Sequence, residues 1–342
     1  MHRLSDFDYD LPSTQIAQHP LPDRAASRLL VLDRAAGTMR HLHFRDLPTL
    51  IPPGDLLIIN TSRVIPARLH GKRDGGQPAE LLLVRELPDG TWLALAHPGG
   101  KLKPGRRVTL GDACSVEIVA VLGGGLRRIR FVGSLDARAT LAKHGEVPLP
   151  PYIKRAPTKA DQDRYQTVYA AHDGSVAAPT AGLHFTTDLL ARIHEQRTFV
   201  TAIDLHVGPG TFKPVETDDL GKHTMHPEAY EIAEGAANWV NKVKGVGSGV
   251  WAVGTTVVRA LESAADESGQ VRAGAGETRL FIRPPYDFKV VNHLITNFHL
   301  PRSTLLMLVC SFGGYERVMG AYREAVKEGY RFYSYGDAML II

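Results

Sequence analysis

The chain has 342 residues, 44% of them hydrophobic and 22% charged, with two cysteines and a net charge of +4. That length calls for two domains around ordinary hydrophobic cores. Cys114 and Cys310 have no partner at metal-ligand spacing and are too few for a disulfide framework, so they read as buried thiols. The first ten residues lack the apolar stretch of a secretory leader, and the longest apolar run, 305–312, falls far short of the ~20 residues of a membrane helix. A soluble cytoplasmic protein is expected.

The charge is unevenly spread. Residues 63–164 carry 18 Lys/Arg against 10 Asp/Glu, and the remainder carries 22 against 26. A basic third on a slightly acidic chain predicts a surface that faces a polyanion.

In chain order, 55–60 (DLLIIN) is a continuous apolar run of the kind that forms a strand buried on both faces. From 67 to 132 the rhythm changes to short runs at 79–85, 91–96, 107–110, 115–121 and 127–132. Turn signals such as Pro88-Asp89-Gly90 and Gly123-Gly124-Gly125 separate them. Five short strands at near-even spacing predict an all-β, barrel-like unit, and the proline-rich 148–152 closes it with an extended boundary. Beyond that, 199–207, 249–253 and 293–300 read as strands. Helices are expected at 187–195, 234–243, 257–266, 304–312 and 315–327. The expected fold is therefore an α/β main domain, residues 1–66 plus 151–342, with an inserted, smaller all-β (barrel-like) domain over 67–150.

No Walker A loop, H-E-x-x-H or C-x-x-C pattern is present, and no metal site is expected. The glycine-rich 245–249 precedes its strand, which a dinucleotide loop does not do. Four other segments are dense in small and polar groups. The first, 174–186 (GSVAAPTAGLHFT), lets backbone approach a ligand closely and holds Thr180, Gly182 and the ionisable His184. Segments 206–212 and 253–259 leave strands for loops whose N–H groups could bind a carboxylate or phosphate. They single out His206, Gly208, Gly210, Thr211, Gly254, Thr255, Thr256 and Arg259. Segment 295–304 adds Asn297, His299 and Arg302, the last a cation at a helix start, where an anion partner is plausible. His226 and Glu228 lie in a loop-like stretch, and Asp337 is the single carboxylate in the aromatic 333–339. A tight turn or an ordinary helix cap would use the same residue types.

These segments, in this order, resemble the S-adenosylmethionine:tRNA ribosyltransferase-isomerase family of queuosine biosynthesis. The resemblance runs through DFDYDLP from Asp6, SRLL from Ser27, NTSRVIPARL from Asn60, PPYI from Pro150 and YQTVYA from Tyr165. It continues with SVAAPTAGLHFT from Ser175, HVGPGTF from His206, VGTTVVRALE from Val253, ITNFHLPRSTLLMLV from Ile295 and YGDAML from Tyr335. It spans essentially the whole chain. Pro285, where the family pattern has glycine, and Cys310-Ser311-Phe312-Gly313 depart from it without removing a polar group.

The resemblance implies an α/β domain with an inserted β-barrel. It also implies an enzyme that moves the ribosyl unit of S-adenosylmethionine onto 7-aminomethyl-7-deazaguanine in tRNA. The sugar is rearranged to an epoxycyclopentanediol, and adenine and methionine are released. S-adenosylmethionine is then a consumed donor, with no tightly bound cofactor, and a monomer is expected. On that reading His184, His206, His226 and Asp337, with Glu228 behind them, are candidates for acid–base work. The donor's candidate contacts are Thr180, Gly182, Gly208, Gly210, Thr211, Gly254, Thr255, Thr256, Arg259, Asn297, His299 and Arg302. Arg63, Arg68 and Arg155 are candidates for tRNA phosphates, and Tyr165 for stacking on a base. Two alternatives stay open: an S-adenosylmethionine-dependent RNA methyltransferase and a non-catalytic tRNA-binding protein.

Overall fold

The computed structural model describes residues 2–111, 114–208, 210, 215 and 217–342. The first strands are β1 (Arg28–Asp33), β2 (Thr38–His43), β3 (Leu56–Asn60) and β4 (Ser62–Val64). Next come β5 (Arg68–Arg73), β6 (Pro78–Glu86), β7 (Trp92–His97), β8 (Arg107–Gly111), β9 (Cys114–Val121) and β10 (Leu126–Gly133). Helix α1 (Ala137–His144), β11 (Gly145–Glu146), α2 (Lys159–Arg164), β12 (His172–Ser175), α3 (Thr187–Glu195) and β13 (Phe199–Leu205) follow. Then come β14 (Glu228–Ile232), α4 (Glu234–Gly245), β15 (Val250–Val253), α5 (Thr255–Ala264) and β16 (Gly274–Thr278). The last elements are β17 (His293–Asn297), α6 (Thr304–Gly313), α7 (Tyr315–Lys327) and β18 (Ala338–Ile341).

Nine strands form one mixed sheet in the order β16-β14-β13-β3-β15-β17-β18-β1-β2. Its middle is parallel, with β13, β3, β15 and β17 running side by side. Such strands are covered on both faces, which is why LLII of β3 and VWAV of β15 are apolar throughout. Alternate residues still part to opposite sides. Leu56, Ile58, Val250 and Ala252 enter one core with Leu261 of α5, Leu306 of α6 and Val318 of α7. Leu57, Ile59, Trp251 and Val253 enter a second with Leu189 and Ile193 of α3. At the amino ends of β3 and β15 the buried Asp55 carboxylate accepts from Gly249 N and Trp251 Nε1, both at 2.7 Å.

A second sheet takes its strands from residues 68–146 in the order β11-β5-β6-β7-β10-β9-β8, every pairing antiparallel. Its edge strand β8 also pairs with β5, through Lys72↔Thr109 and Arg73↔Val108. Leu69, Leu81, Leu83, Val108, Val116, Ile118 and Ile129 fill its interior. The five strands expected here are present to within a residue or two, and β5 and β11 join them. β4 and β12 form a separate two-stranded parallel ladder. Both cysteines are free and buried, with Cys114 Sγ 3.1 Å from Thr140 Oγ1. Among the described residues no helix is long and apolar enough to cross a membrane.

Three boundaries differ from expectation at one end of the large sheet. The strand expected over 199–207 stops at Leu205, the last residue with a partner in β14. The one expected over 293–300 stops at Asn297, the last pair with β18. The helix expected from Val257 begins at Thr255, with Gly254 as its N-cap at a φ of 93° that favours glycine.

Candidate functional site: a neutral cleft at the ends of the parallel strands

Where β13, β15 and β17 stop, the chain turns away and leaves a cleft at their carboxyl ends, the usual ligand position in a parallel sheet. Residues 177–181 form one wall, and Val207, Gly254, Thr255 and Thr256 another. Thr296, Asn297, Phe298, His299, Leu300, Ser303 and Leu305 form a third, closed by Tyr152, Tyr333 and Ser334. The cavity volume is about 70 Å³, and no Asp, Glu, Lys or Arg is among the described residues lining it. Helix α5 begins at this wall without a side-chain cap, so its first N–H groups have no intrahelical acceptor. Asn60 at the end of β3 locks the neighbouring backbone. It donates to Leu205 O (3.0 Å), accepts from Leu205 N (3.1 Å), and its amide lies 3.4 Å from Thr256 Oγ1.

Asn297 organises the cleft floor. Its Nδ2 donates to Tyr333 O at 2.9 Å and lies 3.2 Å from His184 Nε2. The Tyr333 carbonyl accepts only, so this amide orientation is fixed, and His184 Nε2 must be the acceptor. The His184 proton is therefore on Nδ1, donated to Ser27 Oγ at 2.7 Å, and the Ser27 hydroxyl donates in turn to Arg24 O. Burial pushes the His184 pKa down to about 4, so the imidazole is neutral at pH 7. Its ring stacks on Phe44 with centroids 4.9 Å apart. Asn297 Oδ1 remains buried without a partner among the described residues, and an unmatched acceptor in a cleft is a place for a ligand's N–H or O–H. His299 is likewise neutral. Burial lowers its pKa to about 3, and its Nε2 meets Thr296 Oγ1 at 2.7 Å.

Of the expected site residues, Thr180, Gly254, Thr255, Thr256, Asn297 and His299 line the cleft, with His184 hydrogen-bonded to its floor. Others stand behind it. Arg259 pairs with the buried Glu228 carboxylate and donates to Leu280 O, while Glu228 also accepts from Gly208 N at 3.1 Å. Neither charge faces the cleft, so Arg259 holds a carboxylate of the protein itself. Arg302 does the same on the surface, with Asp8. Asp337 accepts from Arg28 N and Arg331 N, both at 2.8 Å, and ties β1 to the approach of β18; burial raises its pKa. Gly182 is small because Tyr169 lies against it, where a Cβ would sit 2.2 Å from the Tyr169 hydroxyl.

His206 is half-buried beside Asp204 and His172, and burial lowers its pKa. His226 is exposed against Gly210, and Thr211 lies outside the described residues. Arg63 is exposed, bonded to Ala170 O and 3.6 Å from Asp173, and Arg68 pairs with Glu80 at 3.3 Å. Arg155 forks onto Asp161 at 2.7 and 2.8 Å. Tyr165 is buried against Tyr335 and presents no ring face to solvent. The cleft also uses Tyr333, Ser334 and Tyr152, and His184 uses Ser27, none of which sequence reasoning singled out. The Tyr152 and Ser334 hydroxyls meet at 2.6 Å. Their only signal was membership of the aromatic 333–339 stretch, the proline linker and the SRLL motif.

Fold and cleft together define an α/β protein with a hydroxyl-rich, uncharged cleft, linked in one chain to a basic antiparallel sheet. Comparison with known proteins narrows this class. A family model described as "Queuosine biosynthesis protein" matches residues 4–341. The chain is 55% identical to the S-adenosylmethionine:tRNA ribosyltransferase-isomerase of Thermus thermophilus, with all of both chains covered. It is 50% identical to the protein of that name from Moorella thermoacetica, covering 99% of this chain and all of the other. The crystal structure of S-adenosylmethionine tRNA ribosyltransferase from Thermotoga maritima superposes with a TM-score of 0.58 at 37% identity, over 99% of this chain and 100% of that one. The chain belongs to the queuosine biosynthesis protein family.

Proposed function

We propose that this chain transfers and isomerises the ribosyl moiety of S-adenosylmethionine onto 7-aminomethyl-7-deazaguanine at the wobble position of tRNA. The products are epoxyqueuosine-tRNA, adenine and methionine. Family membership supports the reaction, and the observation that carries the site is the uncharged cleft with Asn297 Oδ1 unmatched on its floor. The first turn of α5 suits the donor's carboxylate, by way of its backbone N–H groups and the Thr255 and Thr256 hydroxyls. Asn297 Oδ1 suits an amine or hydroxyl of the nucleoside half. The sulfonium acidifies the neighbouring ribose carbon, and a cleft without carboxylates leaves that charge unneutralised until a base removes the proton.

His184, with its lone pair on the cleft side and its proton held by Ser27, has the tautomer of a base. A pKa near 4 makes it a weak one. Its first role is then to orient Asn297, and proton transfer falls to it only when the ligand displaces the amide. The two substrates must be aligned together, which makes the positioning of tRNA part of the rate. We take residues 67–150, with their β5–β8 closure, as an inserted barrel-like domain whose cations face the tRNA. Arg63 and Arg68 lie at its root. The protein acts in the cytoplasm as a monomer, and S-adenosylmethionine is consumed with no other cofactor.

The test is chromatography of the small molecules released when the protein meets S-adenosylmethionine and tRNA carrying the aminomethyl base. Adenine and methionine, released together and only with that tRNA, are expected. S-adenosylhomocysteine instead would make the protein a methyltransferase, and tRNA binding without turnover would leave a binding module.

A further inference from the structure

On the far side of His184 from the cleft lies a second, shallow pocket, lined by Arg24, Arg164, Ser27, His184, Ser334 and Tyr335 among others. Ser334 belongs to both pockets and His184 stands between them. Arg331 is close behind, near enough for its charge, with that of Arg24, to disfavour protonation of His184.

The three guanidiniums are held by main-chain carbonyls. Arg24 donates to Leu183 O (3.1 Å) and Asp163 O (2.7 Å), Arg164 to Pro22 O (2.8 Å) and Leu21 O (2.6 Å), and Arg331 to His19 O. Asp163 acts on Arg24 and Asp337 on Arg331, and neither forms an ion pair with its arginine among the described residues. Arg164 Nε and Arg331 Nη1 are buried without a partner among the described residues. Burial, then the proximity of Arg164, lowers the Arg24 pKa. Carbonyl anchors fix the direction of a guanidinium and leave its charge uncancelled, so two half-buried cations, Arg24 and Arg164, line one opening with Arg331 behind it, and no carboxylate is among the described residues lining it. A planar fork presenting unused N–H groups is the arrangement that takes a phosphate.

We propose that Arg24 and Arg164, backed by Arg331, form a phosphate subsite that grips a backbone phosphate of the RNA whose base enters the cleft. The subsite rests on tRNA being the substrate. It sets the RNA backbone on the outer side of His184 and Ser334 and the reacting base on the inner side.

The experiment uses the full chain and an unmodified tRNA transcript, with binding measured against salt. The Arg24→Gln/Arg164→Gln double variant is expected to bind at least tenfold more weakly, with a log–log salt slope reduced by roughly 0.7–0.9 per phosphate released. The Arg24→Lys/Arg164→Lys variant keeps the charge, loses the forked carbonyl contacts, and is expected to retain most of the slope. A glutamine variant that unfolds at the wild-type temperature and keeps affinity and slope would overturn the proposal. So would lysine variants that are as impaired as the glutamine ones and also unfold at a lower temperature, because the arginines would then be struts for the 19–22 loop. Thermal protection by inorganic phosphate that needs the pair, with tRNA binding indifferent to it, would assign the pocket to a free anion instead. Binding is read without turnover. A chain that holds tRNA through the pair yet releases no adenine would sink the ribosyl-transfer reading and leave the subsite standing.

Discussion

The cleft and the basic antiparallel sheet treat polar groups in opposite ways. Around the cleft, Asn60, His184, Thr296, Asn297 and His299 are buried and bonded in fixed directions, and the nearby charges Glu228 and Arg259 cancel each other out of sight of it. On the sheet of residues 68–146, Lys72, Arg107 and Arg130 stand exposed above a sealed apolar interior. Directional neutral contacts in a dry site set geometry, and the energy of losing one is large because no water replaces it. Exposed cations set attraction at a distance and are nearly interchangeable. Under the proposed function, one region would recognise a small molecule atom by atom and the other would collect a polyanion.

The contrast is broken most severely at the ion pair behind the cleft. Glu228→Ala leaves Arg259 buried and uncompensated, with an expected loss of about 3–5 kcal/mol of stability in a denaturant titration. Arg259→Met on top of it should recover part of that loss. An unchanged denaturation midpoint for the single variant would mean that water reaches the pair.

Acid comes next. His184 and His299 protonate in the folded chain only near pH 4 and 3, below the ordinary value near 6.5. The unfolded state therefore binds these protons first, and stability present at pH 7 is lost as pH falls below about 6.5, levelling once the folded values are passed. A loss on the order of 2–3 kcal/mol per histidine is expected in melts between pH 7 and 4. His299→Gln should flatten the lower part of the curve, and a flat wild-type profile would count against buried neutral imidazoles.

Asn297→Ala removes the unmatched acceptor and the His184 partner together. Turnover on the order of 100-fold lower, with tRNA affinity retained, is the expected result in the adenine-release assay. Full turnover would take Asn297 out of the site. The smallest effect belongs to the sheet. Lys72→Gln with Arg107→Gln should weaken tRNA binding a few-fold and lower the salt slope by roughly 0.7 per charge. Stability should stay within about 0.5 kcal/mol. A slope that does not move would place the tRNA elsewhere.

The same contrast explains what could be read from sequence. The strands of the basic sheet follow from local alternation and glycine or proline turns, as in PAELLLVRE of β6, so their ends were legible. In the large sheet β3 and β15 announced themselves as apolar runs. The exposed TMRHLH of β2 and the glycine-rich GAGET of β16 carry no such pattern and are strands only because of distant partners. At the site the motifs were legible, but not which way each side chain faces. HFT and NFH look alike as strings. Yet His184 is a prop shared between two pockets, and His299 lines one of them. Arg259 and Arg302 read as ligand hooks because their partners, Glu228 and Asp8, lie 31 and 294 residues away. The overrun of the expected strands past Leu205 and Asn297 is informative in itself. The apolar pattern continues past the ladder, which stops where the cleft begins.

The position of β18 has a consequence for synthesis. The β1–β2 hairpin joins the large sheet only through β18, by pairs such as Leu29↔Ala338, and β18 holds β17 on its other edge. The first strand made thus waits for one made about 300 residues later, among the longest loop closures a chain of this size can require. The basic sheet, whose partners are all local, can be finished long before. During translation the basic sheet would exist on an unfinished molecule, while the cleft, whose wall includes Tyr333 and Ser334 just ahead of β18, would not. The order of manufacture keeps the cleft incomplete until its last strand is present.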